Sequence, residues 1–155
     1  MDKVVLQPLT MRDAEIFYQL YSNPLVAACF VESPFLPGET PSVFTERIVN
    51  ACNFIFTIRP ADKPGLIIGD CALHHWNDIL KEASIGGSLL PDYWGMGYMQ
   101  DAFCHLAVIA KQELGALTLV GQTRPRNTKA IRLVEKMGFT IHHSNEQEIV
   151  LRKEL

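Results

Sequence analysis

Gly95 and Gly97 stand between an apolar run that ends at Leu90 and a long amphipathic pattern that begins at Tyr98. Two glycines at this spacing, just ahead of a helix, mark a turn in which the backbone comes close to something a Cβ would exclude. Tyr93-Trp94-Gly95-Met96-Gly97-Tyr98-Met99 therefore reads as a strand-to-helix connection. Such a connection aims free backbone N–H groups, and the positive end of the following helix, at one anionic group. The stretch is a candidate phosphate cradle; taken alone, a glycine connection with no ligand is the alternative.

Two familiar cradles are excluded. The Walker pattern needs Lys and a hydroxyl residue after its last glycine, and here Gly97 is followed by Tyr98 and Met99. The dinucleotide fingerprint needs a third glycine where this chain has Gln100. With Leu89-Leu90-Pro91-Asp92 ahead of it and Asp101-Ala102 behind, the turn instead resembles the W-G-x-G-Y/L-A-T-E-A signature of the GNAT superfamily of acyl-CoA N-acyltransferases. Asn127 opens a run to Phe139 that is similar to the second hallmark of that family, N-x-x-S-x-x-L-x-E-K-x-G-F. The stretch from Leu6 to Ala14 resembles the L-R-P-L-T-x-x-D-A opening of the branch containing the ribosomal-protein N-acetyltransferases.

The 155 residues fit one domain, read as 1–155, large enough to bury a core without staples. A net charge of -3 gives no broad basic surface, so nucleic acid is not an expected partner. Cys29, Cys52, Cys71 and Cys104 form no C-x-x-C pair and are read as small core hydrophobes. The chain opens without a basic and apolar leader, and no apolar run approaches the ~20 residues that span a bilayer. A soluble, cytoplasmic protein without a membrane partner is expected.

Strands are read at Val4–Leu6, Asn53–Arg59, Leu66–Trp76, Ala83–Leu90, Leu117–Thr123, Phe139–His143 and Ile149–Arg152. Helices are read at about Met11–Leu20, started by Thr10 and Asp13, near Ser42–Ala51, at Tyr98–Leu114 ending on Gly115, and at Thr128–Met137. Antiparallel neighbours come first and a strand–helix alternation follows, which implies a mixed α/β domain. The resemblance implies the GNAT fold, a central mixed sheet of about seven strands with helices on both faces.

It also implies an N-acetyltransferase that moves an acetyl group from acetyl-CoA to a primary amine by direct attack. The acceptor is a protein N-terminus or a small molecule, no metal is expected, and homodimers are common in the family. Backbone groups of Gly95, Met96, Gly97, Tyr98 and Met99 would hold the pyrophosphate, and strand backbone at Leu89 and Leu90 the pantetheine arm. Gly86-Gly87 reads as a bulge beside that arm. Asn127 is read as a pantetheine contact or a helix cap, and Ala130 lies where the family often has serine. For catalysis, Glu82 is the candidate base and Tyr93 a candidate acting on the acceptor. His74 and His75 are alternatives of which a regular strand would turn only one into the cleft. Met99, Ala130 and the lack of tyrosine after Tyr98 motivate the alternative of a catalytically weak acyl-CoA-binding regulatory protein.

Overall fold

A computed structural model describes residues 2–155. Seven strands form one sheet: β1 (Val4–Pro8), β2 (Cys52–Pro60), β3 (Gly69–Asn77), β4 (Glu82–Leu89), β5 (Thr118–Thr123), β6 (Thr140–Ser144) and β7 (Ile149–Glu154). Their order is β1-β2-β3-β4-β5-β7-β6, with β4–β5 the one parallel pairing among the described residues. The mixed sheet expected from the sequence is what the chain folds into.

The helices are α1 (Ala14–Ser22), α2 (Pro24–Ala27), α3 (Pro41–Ala51), α4 (Tyr98–Ile109) and α5 (Thr128–Lys136). Thr10 and Asp13 cap a 3₁₀ turn, Met11–Asp13, that leads into α1, the Thr10 N–H donating to Asp13 Oδ2 at 3.1 Å, so the helix expected from about Met11 begins as a tighter turn. Asn23-Pro24 breaks α1 but also begins α2, because proline suits a first helical position and the Asn23 side chain accepts from Leu25 N–H. Helix α4 continues as a π-helical turn, Ala110–Leu114, and stops at Gly115 in the left-handed region.

Alternating strand residues divide the core between the two faces of the sheet. Ile58, Leu73, Ile85 and Leu119 pack with Phe103 and Leu106 of α4 and Val134 of α5. On the other face Ile55 and Ala72 meet an aromatic cluster from α1–α3. Phe44, with no exposed surface, lies at its centre, 4.7 Å from the Phe35 ring and 5.2 Å from that of Phe17. The irregular stretch 28–40 is tied down at both ends. The Arg47 guanidinium binds Glu39 and donates to Pro34 O, while that of Arg124 donates to Phe30 O and Val31 O.

The feature that positions the site is where β4 and β5 part. Their parallel register runs from Glu82↔Thr118 to Ser84↔Val120 and stops. On its other side β4 stays paired with β3 down to Gly69↔Leu89. A seam therefore opens inside the sheet beside the second half of β4.

Candidate active site

The seam leads into a cavity of about 450 Å³ lined by Gly87–Leu89, by the turn and start of α4, by α5, and by Val26 and Cys29. Leu90 N–H donates to Ile68 O at 2.8 Å, which fixes the ladder phase: in an antiparallel pair, alternate residues turn their backbone groups toward and away from the partner strand. Ser88 thus faces β3 with its backbone, whereas Gly87 and Leu89 turn theirs toward the seam. Leu89 O is taken by the Trp94 indole N–H at 2.9 Å, leaving the Leu89 N–H directed at the cavity. Both backbone groups of Leu90 are used within the fold, since its carbonyl accepts from Tyr93 N–H. Leu90 therefore differs from the expectation of a backbone contact, because the alternation lets only one of two neighbours face the seam.

Gly86-Gly87 is also not a bulge. Register with β3 is unbroken through both, and a Cβ on Gly87 would lie 2.5 Å from Asp70 O and 3.1 Å from Cys71 Cα. Glycine is required there by the close approach of the neighbouring strand.

The turn has the backbone geometry of a cradle. Gly95 and Gly97 have φ of +76° and +85°, and Gly97 is the N-cap of α4 without a side chain to cap it. The first intrahelical bond runs from Asp101 N–H to Gly97 O, so the N–H groups of Tyr98, Met99 and Gln100 have no partner in the helix. All three residues line the cavity. Met96 is exposed, and its carbonyl accepts from Lys3 Nζ at 2.9 Å, which anchors the turn to the end of β1.

From the opposite wall α5 presents Lys129, Arg132 and Lys136, and no acidic side chain is among the described lining residues. Lys129 Nζ lies 5.2 Å from the centre of the Trp94 ring. An uncapped helix N-terminus, three cations and no carboxylate give the described lining a positive potential suited to an anionic group.

Asn127 is both cap and wall. Its Oδ1 accepts from Ala130 N–H while its Nδ2 donates to Thr123 Oγ1 at 2.9 Å, holding α5 to the end of β5. Ala130 lines the cavity without a polar side chain, and Tyr93 lines it with its ring edge-on to Tyr98.

Glu82 is not brought to the site. It opens β4, roughly 23 Å along the strand from Leu89 at about 3.3 Å per residue. There its Oε2 accepts from Arg152 at 2.9 Å. Position in sequence placed it near the seam, but the seam opens at the other end of the strand. His74 and His75 depart from regular alternation: the register shifts between His74 and Asn77, His75 takes φ +51°, and the two Nδ1 atoms come within 2.6 Å. Burial, then the neighbouring His75, pushes the His74 imidazole down to about 4. Cys104 is exposed on α4, not packed in the core.

The sequence reading missed Asp70. It is 2% exposed on β3, the register partner of Ser88, and its Oδ2 accepts from the Tyr21 hydroxyl at 3.1 Å. Oδ1 has no partner among the described residues. Burial raises its carboxyl to about 7 against the opposing bonds from Tyr21 and the Ser88 backbone. Burial, followed by the Asp70 charge, likewise lifts the Tyr21 phenol, with the Ser88 side chain acting against the rise. A lone carboxylate inside the apolar run Leu66–Leu73 was the available signal.

The sequence profile of the acetyltransferase (GNAT) domain matches residues 3–140. The chain belongs to the GNAT acetyltransferase family. An uncharacterized N-acetyltransferase p20 of Bacillus licheniformis is 22% identical over 144 residues, 89% of this chain and 79% of that protein. Among solved structures, a spermidine N-acetyltransferase from Vibrio cholerae in complex with CoA and spermine superimposes with a TM-score of 0.80 at 19% identity, covering 99% of this chain and 95% of that one. A GNAT-family acetyltransferase from Bacillus anthracis gives 0.79 at 17% identity, covering 99% and 95%. These likenesses show that the GNAT fold is kept across wide sequence change. Among the described residues no helix is long and apolar enough to cross a membrane.

Proposed function

We propose that the protein is an N-acetyltransferase that takes an acetyl group from acetyl-CoA and transfers it to a primary amine. One observation carries the reading: the cavity joins an anion receptor to an unpaired stretch of strand backbone. CoA has that same division, a polyphosphate at one end and an extended amide-bearing arm at the other. The N–H groups of Tyr98, Met99 and Gln100 with Lys129, Arg132 and Lys136 suit the phosphates. The seam at Gly87 and Leu89 suits the arm. Met99 replaces a smaller residue of the family, but contact there is through its N–H, so the cradle keeps its donors.

In the transfer itself, the Leu89 N–H would polarise the thioester carbonyl and hold the negative charge that develops on its oxygen. The amine attacks the acetyl carbon directly and the thiolate departs. With alanine at 130, the hydroxyl we assign to the departing sulfur or the acceptor is that of Tyr93. A polyamine is the first acceptor to test, given the spermidine N-acetyltransferase among the neighbours, followed by peptide N-termini, as the opening from Leu6 to Ala14 indicates. A second reading, an acyl-CoA-binding regulatory protein, is favoured by the location of Glu82 far from the cavity.

Calorimetric titration with acetyl-CoA, CoA, dephospho-CoA and AMP tests the cradle. Micromolar binding of intact CoA is expected, and its absence refutes the reading. Thiol release over an amine panel then separates enzyme from binder, since turnover on any amine removes the second reading.

A further inference from the structure

We propose that Ser88, Tyr21 and Asp70 form a proton relay that carries a proton from the acceptor amine out of the cavity and into the sheet. The relay rests on the reading of the cavity as an amine-acetylating site. Of the three residues only Ser88 lines the cavity, next to Leu89 and its free N–H. Ser88 and Asp70 are register partners on adjacent antiparallel strands, so their side chains stand on the same face about 5 Å apart at Cβ. Tyr21 descends onto that face from α1. Its hydroxyl donates to Asp70 Oδ2, and the Ser88 side chain approaches the same phenol oxygen. With Ser88 donating to that phenol oxygen, each proton step runs from the cavity toward the buried carboxylate.

The carboxylate itself is built unlike a structural one. A buried Asp ordinarily has its oxygens matched by a cation or several N–H groups. Asp70 has one side-chain donor, Tyr21, beside the Ser88 backbone, an unpartnered Oδ1, and no cation among the described ion pairs. The titratable groups that face it are Tyr21 from α1 and Cys52 from β2, with Cys71 beside it on its own strand; β4 contributes only the non-ionising Ser88. Burial, then the Asp70 charge, pushes the Cys52 thiol up to about 11 and raises that of Cys71 as well. Asp70 alone in the cluster changes charge near neutrality, with its carboxyl at about 7.

The transfer balances. An ammonium in the cavity gives one proton to Ser88 Oγ as the Ser88 proton passes to Tyr21 Oη and the Tyr21 proton to Asp70 Oδ2. The amine becomes neutral, Asp70 becomes a neutral acid, and both hydroxyls are restored. The amine nitrogen then forms the C–N bond, the C–S bond breaks with its electron pair on sulfur, and a second N–H proton goes to the thiolate. Asp70 later returns its proton to water by the reverse path.

The test compares wild type with Tyr21→Phe, Asp70→Asn and Ser88→Ala, using acetyl-CoA and the best turned-over amine of spermidine, an aminoglycoside and a short peptide with a free N-terminus. Wild-type kcat/KM should fall on the acid side with an inflection near pH 7. Each variant should lose that inflection and about a hundredfold in kcat, the usual range for acid–base assistance. KM for the amine and affinity for CoA should stay within about threefold. Ser88→Ala removes one atom at the cavity wall and keeps the test open if either buried variant fails to fold. Variants that keep the inflection, whether or not kcat falls, overturn the relay while leaving the acetyltransferase standing. A wild type that binds no CoA or acetylates none of the amines overturns both.

Discussion

Replacing Gly97 with alanine should cost more than the same change at Gly95, and the excess should disappear when Lys3 is removed. Both glycines lie in the left-handed region, at φ of +85° and +76°, where an L-residue is penalised by roughly 1–2 kcal/mol. A Cβ at Gly95 meets nothing within 4 Å, whereas one at Gly97 lies 3.1 Å from Lys3 Nζ. The lysine end must move, and its 2.9 Å bond to Met96 O goes with it, a loss of about 1 kcal/mol. Gly95→Ala should therefore destabilise by roughly 1–2 kcal/mol and Gly97→Ala by roughly 2–3. At roughly 2–4 °C per kcal/mol for a chain of this size, the Gly97 variant should melt about 3 °C below the other. Thermal unfolding of both variants with and without Lys3→Ala measures the coupling directly. Strain relief also rotates the peptide that aims Tyr98 N–H at the cavity, so CoA affinity should fall about tenfold or more, the worth of one bond to a charged group. Equal melting temperatures, or a coupling of zero, refute the Lys3 contact. Full CoA affinity in a folded Gly97→Ala protein refutes the cradle.

Three further outcomes are expected. Glu82→Gln should leave kcat and its pH profile unchanged and cost less than about 1 kcal/mol by denaturant titration, as for a half-exposed ion pair; a loss of turnover would restore Glu82 as the base. Phe44→Ala should cost about 3–5 kcal/mol in the same assay, because its site is closed on all sides by other rings. Asp70 binds its proton more tightly folded, at about 7, than at its ordinary 3.8, so its stabilisation is complete below the lower value and is lost as pH rises to the upper. Asp70→Asn should remove a decline on the order of 4 kcal/mol between those limits, and an unchanged pH dependence of unfolding would show the carboxylate to be ordinary.

What could be read from the sequence followed from local rules. Thr10 with Asp13, Gly115 and the alternation Phe54-Ile55-Phe56 each declare a cap, a stop or a strand without help from the rest of the chain. The Gly95–Met99 turn was legible for the same reason, since turn, glycines and helix are contiguous. Helix α2 escapes the helices read from the sequence because Asn23-Pro24 ends one helix and starts the next, and proline suits both positions. The catalytic side was harder because it depends on register. Glu82 and Leu89 lie on one strand, yet only the end beyond Ser84 leaves β5. Asp70, Ser88 and Tyr21 meet across three elements, and no spacing within the chain announces their contact.

The parting of β4 from β5 also bears on how such a site changes over time. On the proposed function, where peptide groups grip the ligand, the side chains at Leu89 and Met99 answer mainly for space, and many replacements there leave the grip intact. Selection can then rewrite the walls around the seam, and so the choice of acceptor, without disturbing the hold on the donor. A site drawn in main-chain atoms depends on the fold more than on particular side chains, and this fold is kept at a TM-score of about 0.8 across chains only 17–19% identical.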